Sequence, residues 1–528
     1  MFLMDLDHDA CYRAICHRDA RFDGRFFTGV KTTRVYCRPI CPARTPFSEN
    51  VTFYPTAPAA QEAGFHPCLR CRPETAPNLG AWRRTSNTVS RALALIELGA
   101  LDEDDVDGLA DRLGLGGRQL RRLFRQHLGA SPVAVAQTRR VLLAKQLIHE
   151  TRLPMAEIAF AAGFGSIRRF NETFLALFAR PPSDLRAASN QDVSAGPHGE
   201  ISLLLRYVPP YDWPAMLAFL RRRAIPGIEV VTANQYCRTV RLDGAQGTIA
   251  VEPGGENALR ATVRFPKLSA LPVIIARLRR VFDLAADPVA IAAHLASDPA
   301  LAPLVEARPG LRVPGAWEGF ELAVRAVLGQ QITVVAAVRL AGRLVAAHGE
   351  RLAESVGGLT HAFPLPEALA TTDLASLGMP RSRAAALSAV ACAAIADDHL
   401  FDATLGLDDA VLRLRSIRGV GEWTAQYIAL RQLREPDAFP AADIGLMRAM
   451  ASPVVIRHPN FLSEPRRGAR GAPMRRNICG HGPDRHRPTW LASALMSPIR
   501  FGGTMSSVRL GGIALVLAGI VARKLAPR

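Results

Sequence analysis

Four cysteines are spaced for metal chemistry: Cys37 and Cys41 with three residues between them, then Cys68 and Cys71 with two between. Two knuckles of paired cysteines are how a chain builds a tetrahedral thiolate site for zinc. The chain has nine cysteines and no segment of secretory-leader type, so metal ligation is a better reading of these pairs than a disulfide framework. Spacing alone favours a knuckle that only holds a small domain together, and it singles out none of the four. Arg38, Arg44, Arg70 and Arg72 lie beside them. A doubly negative zinc–thiolate cluster is therefore expected in a basic surface, facing an anionic partner. A second constellation lies far downstream. Gly419-Val420-Gly421 separates two helical patterns, Trp423 and Tyr427 fall one turn apart, and Asp443 follows twenty residues after Trp423. A glycine turn opening a helix exposes backbone N–H groups suited to a phosphate. Taken singly, the aromatic pair also fits a helix core, and the aspartate fits an N-cap.

The setting of the first cluster narrows its reading. Asp23-Gly24-Arg25-Phe26-Phe27 leads into Val30-Lys31-Thr32-Thr33-Arg34-Val35-Tyr36-Cys37-Arg38-Pro39, followed by Cys41-Pro42-Ala43-Arg44 and Gly64-Phe65-His66-Pro67-Cys68-Leu69-Arg70-Cys71-Arg72-Pro73. Residues 1–80 resemble the N-terminal domain of the Ada family, which repairs methyl phosphotriesters in DNA. The resemblance implies one zinc ion on Cys37, Cys41, Cys68 and Cys71, with Cys37 also the methyl acceptor, and DNA contacts from Thr33, Arg44 and Arg70. A thiolate that becomes a thioether takes one negative charge out of the site. An irreversible transfer would thereby raise affinity for DNA.

Residues 81–190 carry two copies of one pattern. Asn87 to Leu98 has helical periodicity. Val106, Leu109, Ala110 and Leu113 then make a short amphipathic helix, Gly114 and Gly116 a turn, and Arg118, Gln119, Arg121, Arg122 and Arg125 the basic face of the next helix. About fifty residues on, Ile158, Ala159 and Ala162 precede Gly163 to Gly165 and a helix from Ile167 to Phe178 bearing Arg168, Arg169 and Asn171. A short helix, a glycine turn and a basic helix fit major-groove binding. With Glu157-Ile158-Ala159-Phe160-Ala161-Ala162-Gly163-Phe164, Phe178 and Pro181-Pro182, the segment resembles the AraC-type regulator domain. This implies tandem helix-turn-helix units on adjacent turns of promoter DNA, and RNA polymerase as a partner.

After a polar stretch at 191–200, strand-like runs at Ile201–Val208, Ile228–Val231, Tyr236–Leu242, Thr248–Val251 and Leu259–Phe265 alternate with helical patterns at Trp213–Arg223 and Leu271–Phe282. Beyond about residue 285 the pattern reads as wholly helical. The Gly419 turn, together with Arg308-Pro309-Gly310-Leu311-Arg312-Val313-Pro314-Gly315, Phe320, Ala326-Val327-Leu328-Gly329-Gln330-Gln331, Leu377-Gly378-Met379-Pro380 and Arg383, resembles the helix-hairpin-helix DNA glycosylases of AlkA type. By that resemblance Asp443 is the catalytic carboxylate and Trp423 and Tyr427 bind the flipped base. Gly419 and Gly421 hold a DNA phosphate, and Gln331 is the intercalating wedge, polar where an apolar residue is known. Relatives with lyase activity have Lys where Trp423 stands, which implies a monofunctional enzyme.

The fold expected is multidomain and mainly α: a small Zn(Cys)4 α/β domain at 1–80 and an all-α tandem helix-turn-helix domain at 81–190. An α+β subdomain at 191–300 is then followed by an all-α glycosylase core at 301–450. Charge is uneven. Residues 1–190 hold 26 Lys+Arg against 19 Asp+Glu, residues 191–450 hold 26 against 26, and residues 451–528 hold 13 against 2, so the net +18 says little about the domains. Residues 451–528 are Arg/Gly/Pro-rich, the glycosylase resemblance stops near Met450, and no alkyltransferase Pro-Cys-His-Arg motif follows. Two readings stand for this tail: a basic DNA-contacting arm, and translation out of frame, which its composition favours. Cys11, Cys16, Cys237 and Cys392 are expected to be packing residues. No run reaches the ~18–20 apolar residues of a membrane span, so a cytoplasmic, nucleoid-associated protein without membrane or nucleotide cofactor is expected. The function implied is a response to DNA alkylation: methyl transfer from phosphotriesters to Cys37, transcription activation, and excision of alkylated purines of 3-methyladenine type. The alternative is a methylation-sensing regulator with an inactive glycosylase part.

Overall fold

The computed structural model describes residues 7–76, 87–187, 200–299 and 301–443, so the expectations for the tail lie outside the described residues. The N-terminal domain runs α1 (His8–Cys16), β1 (Phe27–Val30), β2 (Val35–Cys37), β3 (Val51–Tyr54), α2 (Ala57–Glu62) and β4 (His66–Pro67). Its sheet order is β3-β1-β2-β4, with β4 parallel to β2 and the other pairs antiparallel. Alternate residues of this short sheet feed two small cores: Phe26 and Val51 pack under α1, and Phe27, Tyr36 and Phe65 under α2. Thr56 caps α2 by accepting the Ala59 N–H.

The next eight helices are α3 (Asn87–Glu97), α4 (Ala100–Glu103), α5 (Val106–Arg112), α6 (Gly117–Leu128), α7 (Pro132–Glu150), α8 (Met155–Ala161), α9 (Ile167–Phe178) and α10 (Pro182–Ala187). The pairs α5–α6 and α8–α9 are the two expected helix-turn-helix units. Their turns pass through Gly114 at φ +69° and Gly163 at φ +88°, a region that disfavours a side chain. Asp105 and Ser166 cap α5 and α9. Helix α7, which joins the units, has ten buried residues, Lys145 and Gln146 among them.

The third part holds β5 (Glu200–Arg206), α11 (Trp213–Arg221), β6 (Glu229–Val231), β7 (Tyr236–Leu242), β8 (Ala245–Pro253), β9 (Ala258–Arg264) and α12 (Leu271–Val281). The strands form an antiparallel sheet in the order β5-β9-β8-β7-β6. Its apolar face is continuous with α7 to α10, so Phe164, Phe170 and Phe174 belong to one core with Leu203, Val251, Ile274 and Phe282. The second helix-turn-helix unit thus shares its interior with the sheet.

The last described part contains α13 (Pro288–Leu295), α14 (Ala302–Ala307), α15 (Gly319–Leu328), α16 (Val334–His348), β10 (Arg351–Val356), β11 (Leu359–His361), α17 (Pro366–Ala370), α18 (Arg381–Ala396), α19 (Leu407–Arg415) and α20 (Glu422–Ile428). The β10–β11 hairpin departs from the wholly helical run expected there. Its turn is Gly357-Gly358, both at positive φ, and its strands are largely exposed, so they lack the apolar alternation that would have revealed them. A buried ionic network joins sheet to helices: Arg238 to Glu321 at 2.7 Å, and Arg325 to Glu321 and Glu229, each at 2.6 Å. Burial opposes ionisation of Glu321, yet Arg238 and Arg325 outweigh it and pull the carboxyl down to about 2.

Gly419 shows why the glycine turn before α20 cannot vary. It sits at φ +86°, and a Cβ there would lie 2.3 Å from the Ala386 Cβ on α18. Gly419→Ala is expected to cost more than about 2 kcal/mol, from overpacking together with a left-handed backbone. Urea unfolding monitored by tryptophan fluorescence would measure it.

Candidate zinc–thiolate and DNA glycosylase sites

Strand pairing assembles the cysteines. Cys37 ends β2, and Cys41 follows in a turn whose N–H donates to the Arg38 carbonyl. Parallel pairing of Val35 with His66 and Tyr36 with Pro67 brings the Cys68–Cys71 loop alongside. The four sulfurs all lie within 4.8 Å of one another. Tetrahedral zinc with bonds of about 2.3 Å needs sulfurs roughly 3.8 Å apart, so the residues fit the ion. Cys68 and Cys71 are buried, while Cys37 and Cys41 are partly exposed. Backbone N–H groups reach three of the sulfurs: Arg70 on Cys68 at 3.4 Å, Arg38 on Cys71 at 3.3 Å, and Ala43 on Cys41.

The basic surface is thinner than the sequence suggests. Arg38 is buried, donating to Asp23 at 2.8 Å and to the Cys71 carbonyl at 3.2 Å. Arg72 is held by Glu74 and Glu150. Both arginines brace the fold. Thr33, Arg44 and Arg70 are exposed. The packing role expected for the other cysteines holds for buried Cys11, whereas Cys16 and Cys392 are exposed because they fall on the outer faces of α1 and α18.

On α6, Arg118, Arg121 and Arg122 are exposed, as are Arg168, Arg169 and Asn171 on α9. Arg121 pairs with Asp107 at 3.3 Å and Arg168 with Glu172 at 2.8 Å. Both are surface pairs that a phosphate can displace at small cost.

In the last part, the structure brings Asp443 to the aromatic pair. The Trp423 indole N–H donates to Asp443 Oδ2 at 3.1 Å, and the Trp423 and Tyr427 rings stack at 5.1 Å and 13°. Gln330 ties the segment after α15 to the hairpin, donating to the Gly419 carbonyl at 2.9 Å and to Thr424 Oγ1 at 3.1 Å. Its neighbour Gln331 is exposed at φ +58°. Gly421, also exposed, has open space where a side chain would be.

Sequence reasoning missed three neighbours of the aromatic pair. Arg431 donates to the Tyr427 hydroxyl and lies 5.1 Å from its ring centroid and 5.0 Å from that of Phe219. Arg223, just beyond α11, stacks on Phe219 at 3.9 Å. Burial pushes the Tyr427 phenol up, but the Arg431 and Arg223 guanidiniums outweigh it, so Tyr427 ionises below the usual tyrosine value. Phe219 and Arg223 lie some two hundred residues upstream, and no local motif marks them. Arg431, one turn past Tyr427, was within reach of helical spacing.

Glu435, whose N–H donates to the Ala429 carbonyl past the end of α20, has 4% exposure. Burial pushes its carboxyl up to about 7, Asp437 adds to this, and Arg91 on α3 opposes it. A raised folded pKa gives stability that is present below the unfolded value and lost as pH climbs toward 7. Wild type is therefore expected to lose about 3 kcal/mol relative to Glu435→Gln between the acid end and pH 8. Urea denaturation of both proteins at several pH values checks this.

Four family models match the chain: the metal binding domain of Ada at 10–74, a helix-turn-helix domain at 109–188, the AlkA N-terminal domain at 202–318, and the HhH-GPD superfamily base excision DNA repair protein at 324–456. A protein of Mycobacterium tuberculosis (strain CDC 1551 / Oshkosh), described as a probable bifunctional transcriptional activator/DNA repair enzyme AlkA, is 44% identical over 446 residues, covering 84% of this chain and 90% of that protein. DNA-3-methyladenine glycosylase 2 of Escherichia coli (strain K12) is 35% identical over 242 residues, 44% of this chain and 82% of that protein. The bifunctional transcriptional activator/DNA repair enzyme Ada of the same strain is 37% identical over 134 residues, 25% of this chain and 36% of that protein. With the cysteine cluster, the paired helix-turn-helix units and the glycine hairpin in one chain, this protein belongs to the family of AlkA-type bifunctional transcriptional activator/DNA repair proteins.

Proposed function

We infer that the chain senses and repairs DNA alkylation damage with three modules. Residues 1–80 accept methyl groups from phosphotriesters, residues 81–190 bind promoter DNA and engage RNA polymerase, and residues 191–450 excise alkylated purines. The observation that carries the reading is the coexistence of four cysteine sulfurs within 4.8 Å and an Asp443 carboxylate bonded to a stacked aromatic pair. Bacterial nucleoid DNA is the setting this implies. Among the described residues, no helix is long and apolar enough to cross a membrane.

Cys37, Cys41, Cys68 and Cys71 would hold the ion, which when bound keeps the sulfurs as thiolates at neutral pH. Cys37 Sγ attacks the phosphotriester methyl carbon. The S–C bond forms as the C–O bond breaks, and the electron pair stays on the oxygen of a restored phosphodiester. Partial exposure supports Cys37 over buried Cys68 and Cys71, and the likeness to the metal binding domain of Ada supports it over Cys41. Exposed Thr33, Arg44 and Arg70 would contact the backbone nearby.

In the glycosylase part, Gly419 and Gly421 at the start of α20 would hold a phosphate, and Gln331 would fill the space left by the flipped nucleotide. Trp423 and Tyr427 would stack on the base, and Asp443 would stabilise positive charge growing on the sugar as the N-glycosidic bond breaks and water adds. Two assays test the reading on purified, zinc-loaded protein: methyl transfer from phosphotriester DNA, and free-base release from DNA containing 3-methyladenine. Absence of both would overturn it. Transfer without release would leave a sensor that carries an inactive glycosylase.

A further inference from the structure

Helix α7 carries a continuous line of buried polar contacts from the cysteine knuckle to the edge of the five-stranded sheet. Lys145, with no exposed surface, donates to the Cys68 carbonyl at 2.8 Å and to Glu74 Oε2 at 2.7 Å. Glu74 Oε1 accepts from Arg72 Nε at 3.0 Å, and Arg72 Nη2 reaches Glu150 Oε1 at 3.1 Å. Glu150 Oε2 accepts the Leu204 N–H at 3.0 Å, while Gln146 donates to Glu150 and to the Leu204 carbonyl, both at 3.0 Å. Leu204 lies in β5, the edge strand beyond β9, and both of its backbone groups are taken by α7. Two side chains of the regulatory helix thus satisfy backbone groups that a further strand would otherwise pair. Apart from the bond of Gln146 to the Leu204 carbonyl, every link is an ion pair or charge-assisted hydrogen bond in a site of low exposure, where an unpartnered group is costly.

We propose that zinc ligation and the docking of the glycosylase sheet on α7 are thermodynamically linked through Lys145, Glu74, Arg72 and Glu150. An ion at the four cysteines fixes the loop that presents the Cys68 carbonyl and Arg72, and so tightens the grip on Leu204. By reciprocity, a closed grip raises zinc affinity. In this role Lys145, Arg72 and Glu150 are positioning residues, acting on the metal site through the Cys68–Cys71 loop. The inference rests on zinc occupying that site.

The test uses the full chain, zinc-loaded and chelator-stripped. Hydrogen exchange is followed in peptides covering β5 and, as an internal control, β7, while zinc affinity is measured by competition with a chromophoric chelator. In wild type, zinc removal should speed exchange across 200–206 by about tenfold and leave 236–242 unchanged. Glu150→Gln keeps an acceptor for the Leu204 N–H but cuts the ion pair with Arg72. It should abolish the zinc dependence of β5 exchange and weaken zinc binding by about tenfold. Arg72→Gln severs the line at another link and should behave alike, so one poorly folding variant does not decide the matter. One zinc per chain with β5 exchange indifferent to it, or a wild-type response in both variants, would overturn the linkage and leave the metal site standing. Failure of wild type to bind zinc would overturn both.

Discussion

Cys37→Ala is expected to abolish methyl uptake from phosphotriester-containing DNA, with no residual transfer to Cys41, Cys68 or Cys71. Intact-mass analysis and peptide mapping after incubation with methylated DNA would show it. The argument is one of access and of place in the motif. Cys68 and Cys71 are buried, and their sulfurs accept the N–H groups of Arg70 and Arg38. Cys41 shares the partial exposure of Cys37 but accepts from Ala43. Only a reachable sulfur can meet the methyl carbon in line, which leaves Cys37 and Cys41, and Cys37 holds the acceptor's place in the Ada-like motif. Methyl found on Cys41 in the variant would show that access alone selects the acceptor and would sink the assignment. In wild type the transfer removes one negative charge from the site. DNA affinity should therefore rise on methylation, with the gain shrinking as salt is added. A gain independent of salt would mean that reshaped contacts, rather than charge, drive the switch.

The two constellations were legible because each is local: CxxxC and CxxC, then a glycine turn, two aromatics and an aspartate within twenty-five residues. The helix-turn-helix units were legible because each surface helix keeps one apolar stripe, so Leu120 and Phe124, or Phe170 and Phe174, fall on one face. Helix α7 was not named in advance for the opposite reason. It packs against the zinc domain, β5 and α8, so its buried residues run around the helix and include Thr138, Lys145 and Gln146, which read as surface. Strand β8 was foreseen as Thr248–Val251 but spans Ala245–Pro253, because Gly247 reads as a breaker. In the sheet, Gly247 is instead what lets β9 approach: a Cβ there would lie 2.2 Å from the Arg264 carbonyl oxygen. Arg38 and Arg72 were assigned to a DNA-facing surface because Asp23 and Glu150, which help to hold them, are remote in sequence; only Glu74 lies close to Arg72 along the chain. The same long range hid Phe219 and Arg223, which lie against the Trp423–Tyr427 cluster through Arg431.

Asp443→Asn should reduce release of 3-methyladenine by at least about a hundredfold while DNA affinity changes little. Asparagine keeps an oxygen that can accept the Trp423 indole N–H, now 3.1 Å from Oδ2, so the stacked pair and its neighbours stay in place. What it loses is the negative charge proposed to face the sugar, which would matter in the transition state and hardly at all in binding. Single-turnover release on labelled duplex, alongside fluorescence anisotropy on the same duplex, separates the two effects. Loss of binding and release together would make Asp443 a structural brace for Trp423, and the catalytic role would fall. Trp423→Ala provides the contrast: it removes the stacking surface and the donor to Asp443 together, so both base capture and the rate should suffer. If wild type itself releases no base yet accepts methyl at Cys37, the Asp443–Trp423 geometry is insufficient without further pocket walls. The regulator reading then stands, with the glycosylase part serving as the partner that covers α7.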